Sequence, residues 1–224
     1  MANWGAAPPP YRPVPPYQQW PGRAPRRVGP GVLFGVTMWR LLIVLFAIIG
    51  FSLAMQDAEG SDALAALSQQ ASLLTAICYG FLLLFPMFTG GRRHEPDSPW
   101  LRGALTVLLS LVSITFLTML GGDFSQPWSL FEHLLTPSVV ALDWLFVGRD
   151  QRNARWWYPL SWLAFPLAYL LFYIAYVGSG EPLYPFLDPG ASDFLGVVFE
   201  FLGGVFVFGF VVYGFGKLHG RGRR

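Results

Sequence analysis

The chain has 224 residues, of which 54% are hydrophobic, 17% aromatic and only 12% charged. Soluble domains carry about 25% charged residues, so this composition excludes an ordinary soluble domain and points to a membrane protein. The net charge is only +2, and the single cysteine, Cys78, excludes an intrachain disulfide and argues against a thiolate metal site.

Residues 1–30 hold nine prolines, four arginines and no apolar run. They predict an extended, disordered cytoplasmic tail. The string Pro-Pro-Pro-Tyr at 8–11 fits a ligand for an aromatic-groove domain, the plainer reading being a solvated tail near anionic headgroups. The first apolar stretch starts too far from Met1, and runs too long, for a cleavable signal peptide.

Six stretches long enough for a hydrocarbon core of about 30 Å follow at 32–55, 63–88, 100–120, 126–147, 157–177 and 195–216. Arg12, Arg23, Arg26 and Arg27 precede the first. Arg92, Arg93 and Arg102 surround the second loop, and Arg149, Arg152 and Arg155 lie in the fourth. Lys217, Arg221, Arg223 and Arg224 follow the last span. The first, third and fifth loops have acids and no basic residue: Asp57, Glu59, Asp62, Asp123, Glu181, Asp188 and Asp193. Basic residues stay on the cytoplasmic side of membrane proteins, so the partition predicts six spans with both termini cytoplasmic. The expected architecture is all-α: a tail (1–30), a polytopic six-helix transmembrane domain (31–217) and a basic tail (218–224), multi-pass in a bacterial cytoplasmic membrane. The bacterial element rests on the excess of Arg over Lys together with abundant Ala, Gly and Pro.

Polar residues inside spans are expensive and face a bundle interior or a wet cavity. Span two carries Ser68, Ser72, Thr75 and Tyr79 at helical spacing. Span four carries Glu132, His133, Thr136, Pro137 and Asp143. At about 100° per residue, Glu132, Thr136 and Asp143 share nearly one face, with His133 and Pro137 on the adjoining one. Helix rise places Ser68, His133 and Glu200 of span six roughly 8–10 Å below the same end of the bundle. Glu200 stands among Gly196, Gly203 and Gly204, and small faces pack inward, so its carboxylate is expected to be buried.

The chemistry this suggests is a nucleophilic pair, Ser68 activated by neutral His133, with Glu200 as an orienting third group. The plainer reading is interhelical hydrogen bonding, with contributions of under about 1–2 kcal/mol each. Asp143 lies too far along the axis to serve His133, and Arg40 is the natural partner for a structural ion pair. No Gly-rich phosphate loop, His pair for metal or Gly-x-Ser-x-Gly elbow occurs. No metal, cofactor or nucleic-acid partner is therefore expected. His94 and His219 read as solvated residues, and Trp100, Trp128, Trp156 and Trp157 as interfacial anchors.

The string Glu132-His133-Leu-Leu-Thr-Pro137-Ser-Val-Val-Ala-Leu-Asp143-Trp144 resembles a hallmark of the androgen-induced six-span membrane proteins and their bacterial relatives. Pro166-Leu-Ala-Tyr169 is similar to that family's Pro-x2-Tyr, and Tyr184-Pro-Phe-Leu-Asp188 to its Tyr-Pro-(Tyr-Pro-)Phe-Leu-Asp segment. Leu67-Ser68-Gln-Gln-Ala-Ser72-Leu-Leu looks like its Phe-Thr-x-Gln-Ser-Asn-Leu-Leu. Animal members are intramembrane hydrolases of fatty-acid esters of hydroxy fatty acids that use a Thr and a His. The resemblance puts the His on His133 and the Thr on Ser68. Serine keeps the hydroxyl, while Ala71-Ser72 replaces the family's Ser-Asn.

Two functions follow as expectations: an intramembrane lipid-ester hydrolase, or a non-catalytic lipid-binding or transport bundle. In either, the partners are the bilayer and a lipid or fatty-acyl ligand. The fifth loop, with Pro182, Pro185 and Pro189 among aromatics, predicts a folded cap whose Tyr184, Phe186 or Asp188 lines a cavity above His133.

Overall fold

Lipid offers no hydrogen bonds, so apolar segments joined by short links can satisfy their backbone only as helices. The computed structural model describes residues 28–57, 64–178 and 180–219. The expectations for the Pro-rich tail, for Glu59 and Asp62, and for the last residues lie outside that range. Among the described residues six helices are long and apolar enough to span a membrane. They are α1 (Pro30–Asp57), α2 (Leu67–Phe88), α3 (Trp100–Met119), α4 (Pro127–Val147), α5 (Tyr158–Val177) and α6 (Phe194–His219). The described structure is all-helical, and each helix falls on one of the expected stretches.

Helix α3 is the hub, packing against α2, α4, α5 and α6, while α1 lies along α2 and across α4. Among the described residues, besides a small cluster of Tyr169, Tyr173 and Val177 on α5, two larger apolar cores result. One joins Ile43, Tyr79, Leu82, Leu105 and Val140 from α1 to α4. The other joins Ala104, Trp144, Trp162, Val205 and Val212 from α3 to α6. Gly103 permits the second, because any Cβ there would collide with the Trp162 ring.

Prolines shape two of the spans. A proline has no N–H and leaves the carbonyl four residues earlier without its helical donor. Pro86 frees Leu82 O, which accepts from Arg40 Nη1 at 2.9 Å. Pro137 frees His133 O, which accepts from Ser113 Oγ at 2.7 Å. Helix α4 also contains two π-helical segments, Phe131–Leu135 and Asp143–Val147. In the first, Thr136 N–H reaches back to Phe131 O; in the second, Gly148 N–H bonds Asp143 O at 3.1 Å. Such bulges rotate the following face and often mark functional sites. Both fall on the ionisable residues of this span.

Candidate functional site

Ser68 opens α2 rather than sitting inside it. The helix begins at Leu67, so Ser68 lies in the first turn, where backbone N–H groups lack intrahelical acceptors. Leu67 N–H donates to Tyr184 Oη at 3.0 Å. Among the described residues, none accepts from the N–H of Ser68 or Gln69. The positive end of the helix therefore faces the neighbourhood of the Ser68 hydroxyl.

His133 lies in the first π segment of α4, is 5% exposed, and stacks on Phe116 with ring centroids 3.8 Å apart. Its Nδ1 is 3.1 Å from Ser129 O. A carbonyl can only accept, so Nδ1 carries the proton and the neutral ring keeps its lone pair on Nε2. That is the tautomer a general base requires.

Ser68 and His133 line one cavity of about 260 Å³, together with Gln69, Trp128, Tyr169 and Tyr184. The remaining wall is almost wholly aliphatic and aromatic, from α3, α5 and α6. No hydrogen bond joins the two residues directly. Ser68 Oγ donates to Gln69 Oε1 at 3.3 Å, and Gln69 Nε2 donates to Glu132 Oε2 at 3.2 Å. Glu132 is fully buried, and the Ser68 and Ser72 hydroxyls approach its carboxyl. Glu132 Oε1 and Ser72 Oγ are both buried without a hydrogen-bond partner. Gly50 of α1 makes the room: a Cβ there would lie 3.0 Å from both Glu132 Cγ and Phe131 Cβ.

The fifth loop folds over this end of the bundle. It holds one short 3-10 turn, Pro185–Leu187, and Tyr184, Phe186 and Leu187 line the cavity. Tyr184 N–H donates to Tyr173 Oη at 3.3 Å, and Tyr169 Oη donates to Ala65 O at 3.0 Å. Burial, as the main cause, raises the Tyr184 hydroxyl above its ordinary pKa, so it stays protonated. Asp188 is not among the described lining residues. Its Oδ1 accepts from Gly190 N–H at 2.8 Å, closing its own turn.

Two expected placements are corrected. Glu200 is exposed, as are Gly203 and Gly204, so the small-residue face of α6 turns outward and Glu200 cannot orient His133. The Ser129 carbonyl and the Phe116 ring hold the imidazole instead. The ion pair between Arg40 and Asp143 is also replaced. Arg102 Nε donates to Asp143 Oδ2 at 2.8 Å and Arg102 Nη2 to Asp143 O at 2.8 Å. Tyr79 Oη donates to Asp143 Oδ2 as well, at 2.9 Å. The reason is that Arg102, at the loop end of span three, is 3% exposed and points into the bundle from within the first turn of α3.

Arg40 pairs with Glu95, its Nη2 at 3.6 Å from Oε2, and donates from Nη1 to His94 O. Glu95 Oε2 is also 3.2 Å from Arg102 Nη1, and Oε1 accepts from Arg149 N–H at 2.8 Å. Burial alone pushes the Glu95 carboxyl up. The His94 imidazole 3.5 Å away, the Arg102 guanidinium and the Arg149 N–H outweigh it and bring the pKa down to about 2. His94, expected to be solvated, is buried here. Asp150, half-buried, is pushed up to about 6 by burial and by the charge on Glu95.

Several of these residues carried a signal in the sequence. The rule that a proline frees the carbonyl four residues back points to Leu82 and His133, though not to Arg40 and Ser113 as the donors. Gln69 stands in the quoted span-two motif beside Ser68. Nothing in spacing singles out Gly50 or Glu95. Comparison with family models, with curated proteins and with solved structures finds no match to this chain.

Proposed function

We propose that this protein is an intramembrane hydrolase of lipid acyl esters, with Ser68 as nucleophile and His133 as general base. The observation that carries the reading is the shared cavity: a hydroxyl at a helix N-terminus and an imidazole in the base tautomer line the same apolar, capped pocket. The resemblance to the androgen-induced six-span proteins points to the same two residues. The basic loops support an orientation with the termini in the cytoplasm and the Tyr184 cap at the opposite face.

In this mechanism the acyl chain lies along the apolar wall, with its ester carbonyl between Ser68 and His133. Ser68 Oγ attacks the carbonyl carbon while Nε2 of His133 takes the hydroxyl proton. The oxyanion forms at the start of α2, where the N–H groups of Ser68 and Gln69 and the helix dipole favour negative charge. His133 then returns the proton to the departing alkoxide, and the alcohol leaves an acyl-Ser68. Water, deprotonated by the same imidazole, attacks that ester, and the fatty acid departs as Ser68 regains its proton. The cap limits water to what hydrolysis needs. Gln69 and Glu132 hold the Ser68 side of the pocket and make no bond to the imidazole.

The test is fatty-acid release from a neutral acyl ester by the purified protein in vesicles. Ser68→Thr keeps activity and Ser68→Ala abolishes it. His133→Gln lowers kcat by about 10²-fold or more, the ordinary contribution of a general base. Equal release by wild type and Ser68→Ala, or none by wild type with a lipid retained in the cavity, identifies a lipid-binding bundle instead.

A further inference from the structure

A second space lies beside this pocket, on the outer side of the bundle. It is a groove of about 640 Å³ between α3 and α6, whose wall includes Glu200, Gly203, Gly204 and Thr118. Leu111, Thr115, Phe201 and Val205 line both this groove and the cavity of Ser68 and His133. The two spaces thus back onto one another across four side chains. Three of these, Leu111, Thr115 and Phe201, are only partly buried.

The groove has its own chemistry. Its floor is apolar and, at Gly203 and Gly204, lacks side chains; a Cβ at either position would meet nothing within 4 Å. Glu200 is exposed about six residues into α6, roughly 9 Å along the axis. An exposed carboxylate at membrane depth is costly unless a donor reaches it. A hydroxyl-bearing lipid head supplies donors. A free fatty acid brings a second carboxylate, which repels. Phe201, in the shared wall, stacks on Phe186 of the cap with centroids 5.6 Å apart and planes 13° from parallel. The wall of the groove and the cap are thus in direct ring contact.

We propose that this groove is the lateral door by which a neutral, hydroxyl-bearing single-chain acyl ester passes from the bilayer into the His133 cavity, with Glu200 selecting against free carboxylates. The proposal rests on the acyl-ester reading of the cavity and narrows it to esters of the monoacylglycerol type. Phe201 is the leaf of the door. The acid product, once ionised, is disfavoured at Glu200 and does not return by that route.

The experiment uses the full chain carrying Ser68→Ala, so that the probe is not hydrolysed, in phosphatidylcholine vesicles. The probe is a monoacylglycerol with a diazirine in its acyl chain, and adducts are mapped by mass spectrometry after photolysis. Adducts are expected on both the groove, around Gly203, and the cavity, at Phe116 and Trp128. Gly203→Trp and Thr118→Trp, made separately from opposite walls, each reduce cavity adducts at least fivefold. The chain-matched diazirine fatty acid gives at least tenfold fewer cavity adducts, and Glu200→Gln narrows that gap at least threefold. Cavity labelling unchanged by both tryptophans overturns the door and leaves the hydrolase reading standing. Equal labelling by ester and acid overturns the role of Glu200. No cavity labelling by either probe in folded protein overturns the acyl-ester reading, and the door with it.

Discussion

Ser113 donates its hydroxyl to the carbonyl of His133 at 2.7 Å, the acceptor that Pro137 leaves without a helical donor. The bond ties α3 to α4 at the residue proposed as base. Ser113→Ala leaves that carbonyl unsatisfied in a dry interior and is expected to destabilise the protein by about 1 kcal/mol. Thermal unfolding in detergent measures the loss. A Tm equal to wild type within error shows that water or another donor replaces Ser113.

Arg102 holds Asp143 and shares Glu95 with Arg40. Removing one partner of a buried pair strands the other charge, so Arg102→Leu should cost about 3–5 kcal/mol. Gly148→Ala should approach the same loss, because its Cβ would overlap the Arg102 guanidinium. That guanidinium is pinned by three acceptors and cannot swing aside. Denaturation midpoints close to wild type for both variants would show that the cluster is not structural.

The pH dependence has two opposed limbs. Glu95 is depressed to about 2 in the fold, so its stabilisation is present above the ordinary carboxylate pKa and is lost as pH falls from 4.5 towards 2. Asp150 is raised to about 6, so its contribution is full below 3.8 and is lost as pH rises through 6. Unfolding midpoints against pH should rise from pH 2 to 4.5 and decline towards 7. Asp150→Asn removes the decline and leaves the rise, and a decline that persists in that variant assigns it to another group.

Tyr184 Oη accepts the Leu67 N–H and so ties the cap to the start of α2. Tyr184→Phe breaks this tie. Loss of about 1 kcal/mol from local opening corresponds to about fivefold faster exchange. Hydrogen exchange over residues 182–190 reads it directly. Exchange in the wild type as fast as in a free peptide would mean that no cap forms.

The spans were legible because length and hydropathy alone decide what crosses a bilayer, and each observed helix falls on its apolar stretch. The rotational phase of the polar side chains was less so. The estimate for span four assumes one helical twist throughout, whereas two π segments reset it at Glu132 and Asp143. Even so, Glu132, Thr136 and Asp143 are all fully buried. Glu200 departs from the rule that small faces pack inward, because the glycine face of α6 turns outward here. Arg40 pairs with Glu95 rather than Asp143 because Arg102 takes Asp143, and nothing in the sequence at a helix start signals that Arg102 points inward. Depth and the family pattern single out Ser68 and His133, which line one cavity, but depth overstates how far Ser68 lies inside α2.

The central claim is that Ser68 is a nucleophile activated in the cavity it shares with His133. Fluorophosphonate labelling of the purified full chain, with the adduct located by mass spectrometry, tests it most directly. A phosphonyl group on Ser68 is predicted, absent in Ser68→Ala and formed at least tenfold more slowly in His133→Gln. Labelling that persists in Ser68→Ala, or a wild-type protein that stays unlabelled while binding acyl lipid, would contradict the claim.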